Sequence, residues 1–68
     1  MNSNRAAGQW KQLQGSIKQQ WGKLTDDDLS RLEGHSDQLA GRLQERYGIA
    51  REEAERQARE FQTRNNWH

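Results

Sequence analysis

Apolar side chains in the first third of the chain recur at the spacing of an α-helix. Trp10, Leu13, Ile17 and Trp21 are separated by three, four and four positions, and the residues between them are polar or glycine. Side chains at these intervals share one face of a helix. We therefore predict an amphipathic first helix over residues 4–21.

A second, short helix is predicted over residues 26–33, after a strong start signal. Thr25 is a favourable N-cap, and Asp28 three residues later resembles the acidic partner of a capping box. Leu24 and Leu29 flank this pair at the spacing of a hydrophobic staple, which fixes the direction in which the chain enters the helix.

A third helix is predicted over residues 35–46, with Leu39, Leu43 and Tyr47 on its apolar stripe. Gly48 follows this stripe at once. A residue in the left-handed conformation commonly ends a helix at such a position, and glycine adopts that conformation most easily.

A fourth helix is predicted over residues 51–64, with Ala54, Ala58 and Phe61 facing inward. Three acid-first pairs four residues apart predict a charged, solvated side on this helix: Glu52–Arg56, Glu55–Arg59 and Glu60–Arg64. No alternating apolar run predicts a β-strand.

The two halves of the chain repeat one pattern at an offset of 26 residues, so that Trp21 matches Tyr47. All six glycines fall into this scheme, three in each half at intervals of seven: Gly8, Gly15 and Gly22, then Gly34, Gly41 and Gly48. Such a duplication indicates two similar supersecondary units that complete one core. We predict an all-α fold, a small bundle of about four short helices in two similar crossed α-hairpins. This topology resembles SAM-domain-like and helix-hairpin-helix folds.

Several glycines carry predictions of their own. Gly22 and Gly48 are expected to turn the chain in the left-handed conformation after the first and third helices. Gly34 is expected to end the second helix. Gly8 and Gly15 lie inside the first helix, where they would break it, bend it or allow another helix to approach closely.

The length of 68 residues allows one small domain, expected over residues 1–68 with an ordered core of about residues 4–64 and frayed ends. The predicted core consists of large apolar side chains from the four helices: Trp10, Leu13, Ile17, Trp21, Leu29, Leu39, Leu43, Tyr47 and Phe61. Trp67 follows two asparagines and is expected on the frayed tail, the alternative being that its ring covers the core.

Composition limits the classes of function. The chain has no cysteine, which excludes a disulfide framework, a thiolate nucleophile and a cysteine-based zinc site. Mean hydropathy is −1.45, but the net charge of +1 lacks the charge excess typical of disordered chains. No apolar leader and no stretch of membrane-spanning length is visible. We expect a monomeric, cytoplasmic protein.

The first 24 residues carry four basic side chains and no acidic one: Arg5, Lys11, Lys18 and Lys23. With Trp10 and Trp21 interleaved, this segment is a candidate surface for nucleic acid or an anionic membrane. The competing interpretation is that both tryptophans belong to the core stripe and that the four charges are simply solvated.

No catalytic, metal or cofactor site is predicted. Asp26, Asp27 and Asp28 are consecutive on a helix and point about 100° apart, so they do not converge on one ion. In the first turn they instead complement the helix dipole, where they should stay ionised and solvated. His35 and His68 have no partner at the spacing of metal ligands.

Two long strings give the chain a specific resemblance: GQWKQLQGSIKQQWGKLTDDDL at residues 8–29 and GHSDQLAGRLQERYGIAREEAERQ at residues 34–57. Over roughly residues 4–61 the chain resembles the CsbD-like family of small bacterial general stress-response proteins. The resemblance implies stress-linked expression and an all-helical fold of two crossed α-hairpins. Because the molecular activity of that family is not established, the resemblance assigns no site residue. Ala50 departs from the family pattern, since a hydroxyl cap is expected there.

We therefore expect a non-enzymatic stress-response protein, whose hydrophilic surface would suit it to protect other proteins during dehydration. The alternative is a binding module for nucleic acid or an anionic surface that uses Arg5, Lys11, Lys18 and Lys23. The two hypotheses differ in whether carboxylates from other helices neutralise those four charges. The partner is not identified by the sequence.

Overall fold

The computed structural model describes the backbone of residues 2–67 and the side chains of residues 8–67. This part of the chain forms four α-helices and one turn of 3-10 helix, and it contains no strand. In chain order the elements are α1 (Asn2–Gln20), α2 (Asp26–Leu32), the 3-10 turn (Ser36–Gln38), α3 (Leu39–Tyr47) and α4 (Arg51–Arg64). The predicted all-α fold with four helices is confirmed.

Helix α1 runs without a break through both of its internal glycines. A Cβ atom added at Gly8 or at Gly15 would meet nothing within 4 Å, so neither glycine is there to admit a neighbouring helix. The expectation of a break or a close approach is wrong. Burial of Ile17 and Trp21 near the end of the helix outweighs the cost of about 1 kcal/mol that each glycine brings to an exposed helix.

Gly22, which follows α1, does not adopt the left-handed backbone conformation that the sequence predicts for it. The glycines with positive φ are Gly34, at 77°, and Gly48, at 62°. The turn after α1 is instead closed by the amide of Leu24, which donates to the carbonyl of Trp21 at 3.1 Å. Gly34 and Gly48 end α2 and α3 as predicted.

The third helix starts later than predicted and in a tighter form. The 3-10 turn covers Ser36–Gln38, and the α-helix begins only at Leu39. Neither His35 nor Gln38 supplies a side-chain cap. An uncapped start leaves backbone N–H groups without partners, and a 3-10 turn is a common way to use them.

The 26-residue repeat is not matched by identical local structure. Gly8 lies inside a helix, whereas its counterpart Gly34 has a positive φ. Trp21 is buried, while Tyr47 is half-buried at the edge of the core. The predicted equivalence of Trp21 and Tyr47 therefore does not extend to their burial. The pairing of two similar hairpins stays a prediction from the sequence.

One hydrophobic core joins all four helices and is centred on the α3–α4 hairpin. Its buried apolar side chains are Ile17, Trp21, Leu24, Leu29, Leu32, Leu39, Leu43, Ala54, Ala58, Phe61 and Trp67. Three residues of the predicted core are half-buried and pack against its edge: Trp10, Leu13 and Tyr47. Among the described residues, no helix combines the length and the apolar character needed to cross a membrane.

Trp67 is buried rather than frayed, with only 8% of its surface exposed. The chain after α4 forms a Schellman motif, in which the Trp67 amide donates to the Gln62 carbonyl at 2.9 Å and the Asn66 amide to the Thr63 carbonyl at 3.3 Å. Asn66 takes the left-handed conformation, with φ 51°. The motif turns the Trp67 ring back onto Phe61, with ring centroids 6.2 Å apart. The expectation of a frayed tail at Trp67 is therefore wrong.

Candidate functional site

The four basic residues of the first segment do not form one free cationic face among the described side chains. Lys18 forms an ion pair with Asp26. Lys23 lies over the ring of Tyr47, with its ammonium nitrogen 5.2 Å from the ring centroid. Lys11 is exposed on α1, and the side chain of Arg5 lies outside the described residues. A carboxylate of α2 thus neutralises part of this segment, which counts against the nucleic-acid alternative.

The three aspartates of α2 point to three different partners. Asp26 pairs with Lys18, and Asp27 accepts a hydrogen bond from Arg31 Nε at 2.9 Å. Asp28 turns inward and is fully buried. The three carboxylates do not converge, as the helical spacing predicted. Among the described residues, no group of three histidine or acidic side chains could hold a metal ion.

Asp28 is held by a complete capping box. Its Oδ2 accepts from the Thr25 amide at 3.0 Å, and its own amide donates to Thr25 Oγ1 at 3.1 Å. Two of the backbone N–H groups that lack a partner at the start of α2 are thereby satisfied. The sequence predicted this motif in a weaker form, because aspartate reaches back less far than the usual glutamate.

The same carboxylate joins α2 to α3 through Arg46. Arg46 Nε donates to Asp28 Oδ2 at 2.7 Å, and Arg46 Nη2 donates to Asp28 Oδ1 at 3.0 Å. Two parallel bonds of this kind make a strong and directional pair. Arg42 Nη1 lies 3.6 Å from Oδ1 and adds a second positive charge. A buried carboxylate surrounded in this way is a structural clamp between two helices.

The environment of Asp28 strongly favours its ionised form. The hydrogen bonds from Arg46 lower the pKa of Asp28 to about 2, against the opposing effect of burial, with further help from Thr25. The reciprocal bond raises the pKa of Arg46. The expectation that Asp28 would be solvated is wrong, although it remains ionised. With so low a pKa, it has no proton to exchange near neutral pH.

The charged side of α4 pairs differently from the prediction. Arg56 bridges Glu53 and Glu60, and Arg51 pairs with Glu55 at 3.4 Å. None of these ion pairs is one of the three predicted acid-first pairs. The bonds from Arg56, and then from Gln57, lower the pKa of Glu53 to about 2.

A chain of hydrogen bonds links this charged side of α4 to the core. Trp21 Nε1 donates to Gln57 Oε1 at 2.9 Å, and Gln57 Nε2 donates to Glu53 Oε2 at 2.7 Å. Gln57 therefore satisfies a buried indole and orients a surface carboxylate at the same time. The Glu53 carboxylate that pairs with Arg56 is thereby also held from the side of the core.

The sequence analysis does not identify two important residues. They are Arg46, the partner of Asp28, and Asn66, which turns Trp67 inward. The Asp28–Arg46 pair spans 18 positions, and no local rule predicts such a contact. For Asn66, the sequence does contain a local signal. An asparagine two positions after the last helical residue, with apolar Phe61 and Trp67 on either side of it, is typical of a Schellman motif.

Comparison with known proteins identifies a family. The family model described as CsbD-like matches residues 4–56 of this chain. The UPF0337 protein YjbJ of Salmonella typhimurium (strain LT2) is 52% identical over 67 residues, which cover 98% of this chain and 96% of that protein. The UPF0337 protein YjbJ of Escherichia coli (strain K12) is 51% identical over 67 residues, with coverage of 98% and 97%. A UPF0337 protein of Bordetella pertussis (strain Tohama I) is 55% identical over 65 residues, with coverage of 96% and 98%.

Proposed function

This chain belongs to the CsbD-like family of bacterial stress-response proteins, and on that basis we propose that it is a non-enzymatic cytoplasmic protein that protects other proteins under stress. Its action would lie in its hydrophilic surface rather than in a site for chemistry. The near balance of 11 basic and 10 acidic residues suits weak contact with surfaces of either sign.

The proposal that the protein is not an enzyme is supported by the state of its buried polar groups. Among the described residues, every buried side-chain nitrogen or oxygen has a hydrogen-bond partner. Catalytic acids and bases commonly have a pKa near the working pH. Asp28, the one buried charged residue in that part of the chain, does not, because the hydrogen bonds from Arg46 and Thr25 lower its pKa to about 2.

The protective part is tested by drying or freeze–thaw of a labile enzyme mixed with a molar excess of this protein. We expect more enzyme activity to survive than with an equal mass of an inert globular protein of similar size. A matched variant replaces Glu53, Arg56 and Glu60 by glutamine, which removes a charged network from the exposed side of α4 while keeping helix-forming residues.

Weaker protection by this variant would locate the effect on the charged surface. Equal survival with the wild-type protein and with the inert protein would refute the protective function. A screen for hydrolase and transferase activity addresses the other part. Activity that co-purifies with the folded chain and disappears on substitution of one acidic residue or of His35 would refute the non-enzymatic assignment.

A further inference from the structure

An open groove of about 940 Å³ runs between α1 and the segment that follows α4. On the α1 side it is lined by Gln9, Gln12, Ser16 and Gln19, which are spaced three, four and three positions apart and so share one helical face. From Gln9 to Gln19 this face is about 15 Å long, at about 1.5 Å per residue.

The opposite wall of the groove is held in place by the Schellman motif. Asn65 and Asn66 line this wall, and Trp67 lines the groove beside them. The side-chain amide of Asn65 donates to the Phe61 carbonyl at 2.9 Å. The ring of Trp67 lies between Phe61 and Trp10, with its centroid 6.0 Å from that of Trp10. The wall is therefore preformed, which lowers the entropic cost of binding.

Most of the side chains that line the groove are uncharged, and most of them carry both a hydrogen-bond donor and an acceptor. Five side-chain amides and the Ser16 hydroxyl face the groove, and each can both donate and accept hydrogen bonds. Among the described residues that line the groove, Lys11 is the one cation, and none of them carries a carboxylate. A polyanionic ligand would require more positive charge than one lysine supplies, and a cationic ligand would require carboxylates. An apolar ligand would leave the side-chain amides of the groove without hydrogen-bond partners.

From this lining we propose that the groove binds an uncharged polyhydroxylated solute of about the size of a disaccharide. Ligand hydroxyls have the same dual hydrogen-bonding capacity as the amides, and the C–H faces of a sugar suit the small apolar surface of Leu13 and Trp67. A shallow, open groove gives weak binding, with Kd on the order of 1 mM or above, about −4 kcal/mol. This proposal goes beyond the protection of other proteins and does not depend on it.

Sucrose is the probe, and the measurement is an NMR titration of the ¹⁵N-labelled protein. We expect saturable shifts in the side-chain amide signals of Gln9, Gln12 and Asn66 and in the indole signal of Trp67. Gln12→Ala should weaken binding about fivefold, the effect of losing one hydrogen bond of about 1 kcal/mol. Gln14→Ala is the matched control, because Gln14 lies on the same helix and is not part of the groove lining.

Two outcomes of the sucrose titration would overturn the proposal. One is a set of shifts that rise linearly with sucrose and spread over the whole surface, which would indicate only a solvent effect. The other is equal binding by the Gln12→Ala and Gln14→Ala variants. A parallel titration with inorganic phosphate separates the two ligand chemistries. Saturable shifts around Lys11 with phosphate, and none with sucrose, would make the groove an anion site and refute the assignment. Gln9→Ala provides a second variant if Gln12→Ala alters the fold.

Discussion

Arg46 holds both carboxylate oxygens of Asp28 across 18 positions of the chain, with donor–acceptor distances of 2.7 and 3.0 Å. This pair, together with the capping box, ties the start of α2 to the last turn of α3. We predict that Asp28→Ala lowers the free energy of unfolding by about 2 kcal/mol, because it removes the return bond of the capping box and leaves Arg46 without its partner. Arg46 is partly exposed and can turn to solvent, which keeps the cost below that of a fully buried unpaired charge.

Urea denaturation followed by circular dichroism measures this change. Arg46→Lys is the informative comparison, because lysine keeps the charge and loses the two parallel bonds. Arg46→Lys should destabilise the protein more than Arg42→Lys, because Arg42 Nη1 lies 3.6 Å from Asp28 Oδ1 and makes only a longer contact. Equal effects of the two lysine substitutions would mean that charge alone, and not bidentate geometry, matters at Asp28.

Stability should fall in acid through Asp28. Its pKa is about 2 in the folded protein against an ordinary value of 3.8, so the unfolded chain takes up a proton first. The stabilisation is therefore complete above about pH 4 and is lost as the pH falls toward 2. We predict that Asp28→Asn makes the plot of unfolding free energy against pH shallower in this window. Glu53, with a pKa of about 2, supplies part of the slope that remains. If Asp26→Asn flattens the curve equally, the buried carboxylate is not its source.

Asn66 should be replaceable by glycine and by few other residues. Its φ of 51° lies in the left-handed region, where a residue with a Cβ other than asparagine or aspartate costs about 1–2 kcal/mol. We predict that Asn66→Ala lowers the free energy of unfolding by about 1 kcal/mol, while Asn66→Gly changes it by about 0.5 kcal/mol or less. Thermal melts followed by tryptophan fluorescence report both effects. A lower Tm for the glycine variant than for the alanine variant would contradict the Schellman assignment.

The helical glycines should respond in the opposite direction from the turn glycines. Gly15 is exposed within α1, and an added Cβ meets nothing within 4 Å. We predict that Gly15→Ala raises the free energy of unfolding by about 0.5–1 kcal/mol. Gly48→Ala should lower it by about 1 kcal/mol, because its φ is 62°. The measurement is the denaturation midpoint, and stabilisation by both substitutions would show that Gly48 does not need its left-handed conformation.

Trp21 and Tyr47 should contribute unequally to stability in spite of their matched places in the repeat. Trp21 is 4% exposed and packs on Phe61 at a centroid distance of 5.1 Å. We expect Trp21→Ala to cost about 3–5 kcal/mol, within the range for buried aromatic residues. Tyr47→Ala should cost clearly less, because the Tyr47 ring lies at the edge of the core. Tyr47→Phe should cost about 1 kcal/mol, because it removes the hydroxyl that accepts a hydrogen bond from the Lys23 amide at 3.1 Å. Equal losses for the two alanine variants in chemical denaturation would restore the predicted equivalence.

The local features of this fold could be predicted from the sequence because the interactions that determine them are local. Helix α4 has the predicted bounds, residues 51–64, since the inward side chains recur regularly along it. The capping box at Thr25 depends on four consecutive residues, and Gly34 and Gly48 end helices through their own conformational freedom.

Most of the features that the sequence analysis misses depend on tertiary contacts. The inward turn of Asp28 requires Arg46, which lies on another helix. The pairing of Arg56 with Glu53 is reinforced by Gln57, which is itself fixed by the indole of Trp21. Gly22 is an exception: its place directly after the apolar stripe of α1 predicts a left-handed φ, but the local hydrogen bond from the Leu24 amide to the Trp21 carbonyl closes the turn without one. The groove beside Trp67 could not be predicted, because it exists only once the chain after α4 folds back on α1.

The contact between Trp10 and Trp67 also has an optical consequence. The two indole rings lie 6.0 Å apart and are inclined by 51°, a geometry in which their electronic transitions couple. When the two transition dipoles and the line between the rings are not coplanar, such coupling produces a pair of circular dichroism bands of opposite sign, and we expect this pair to be superimposed on the helical spectrum. Helix content read from the raw far-ultraviolet signal would then differ from the true content, and the difference spectrum between the wild-type protein and Trp67→Phe would isolate the coupled bands. We therefore expect these bands to report, without a label, whether the chain beyond α4 is docked.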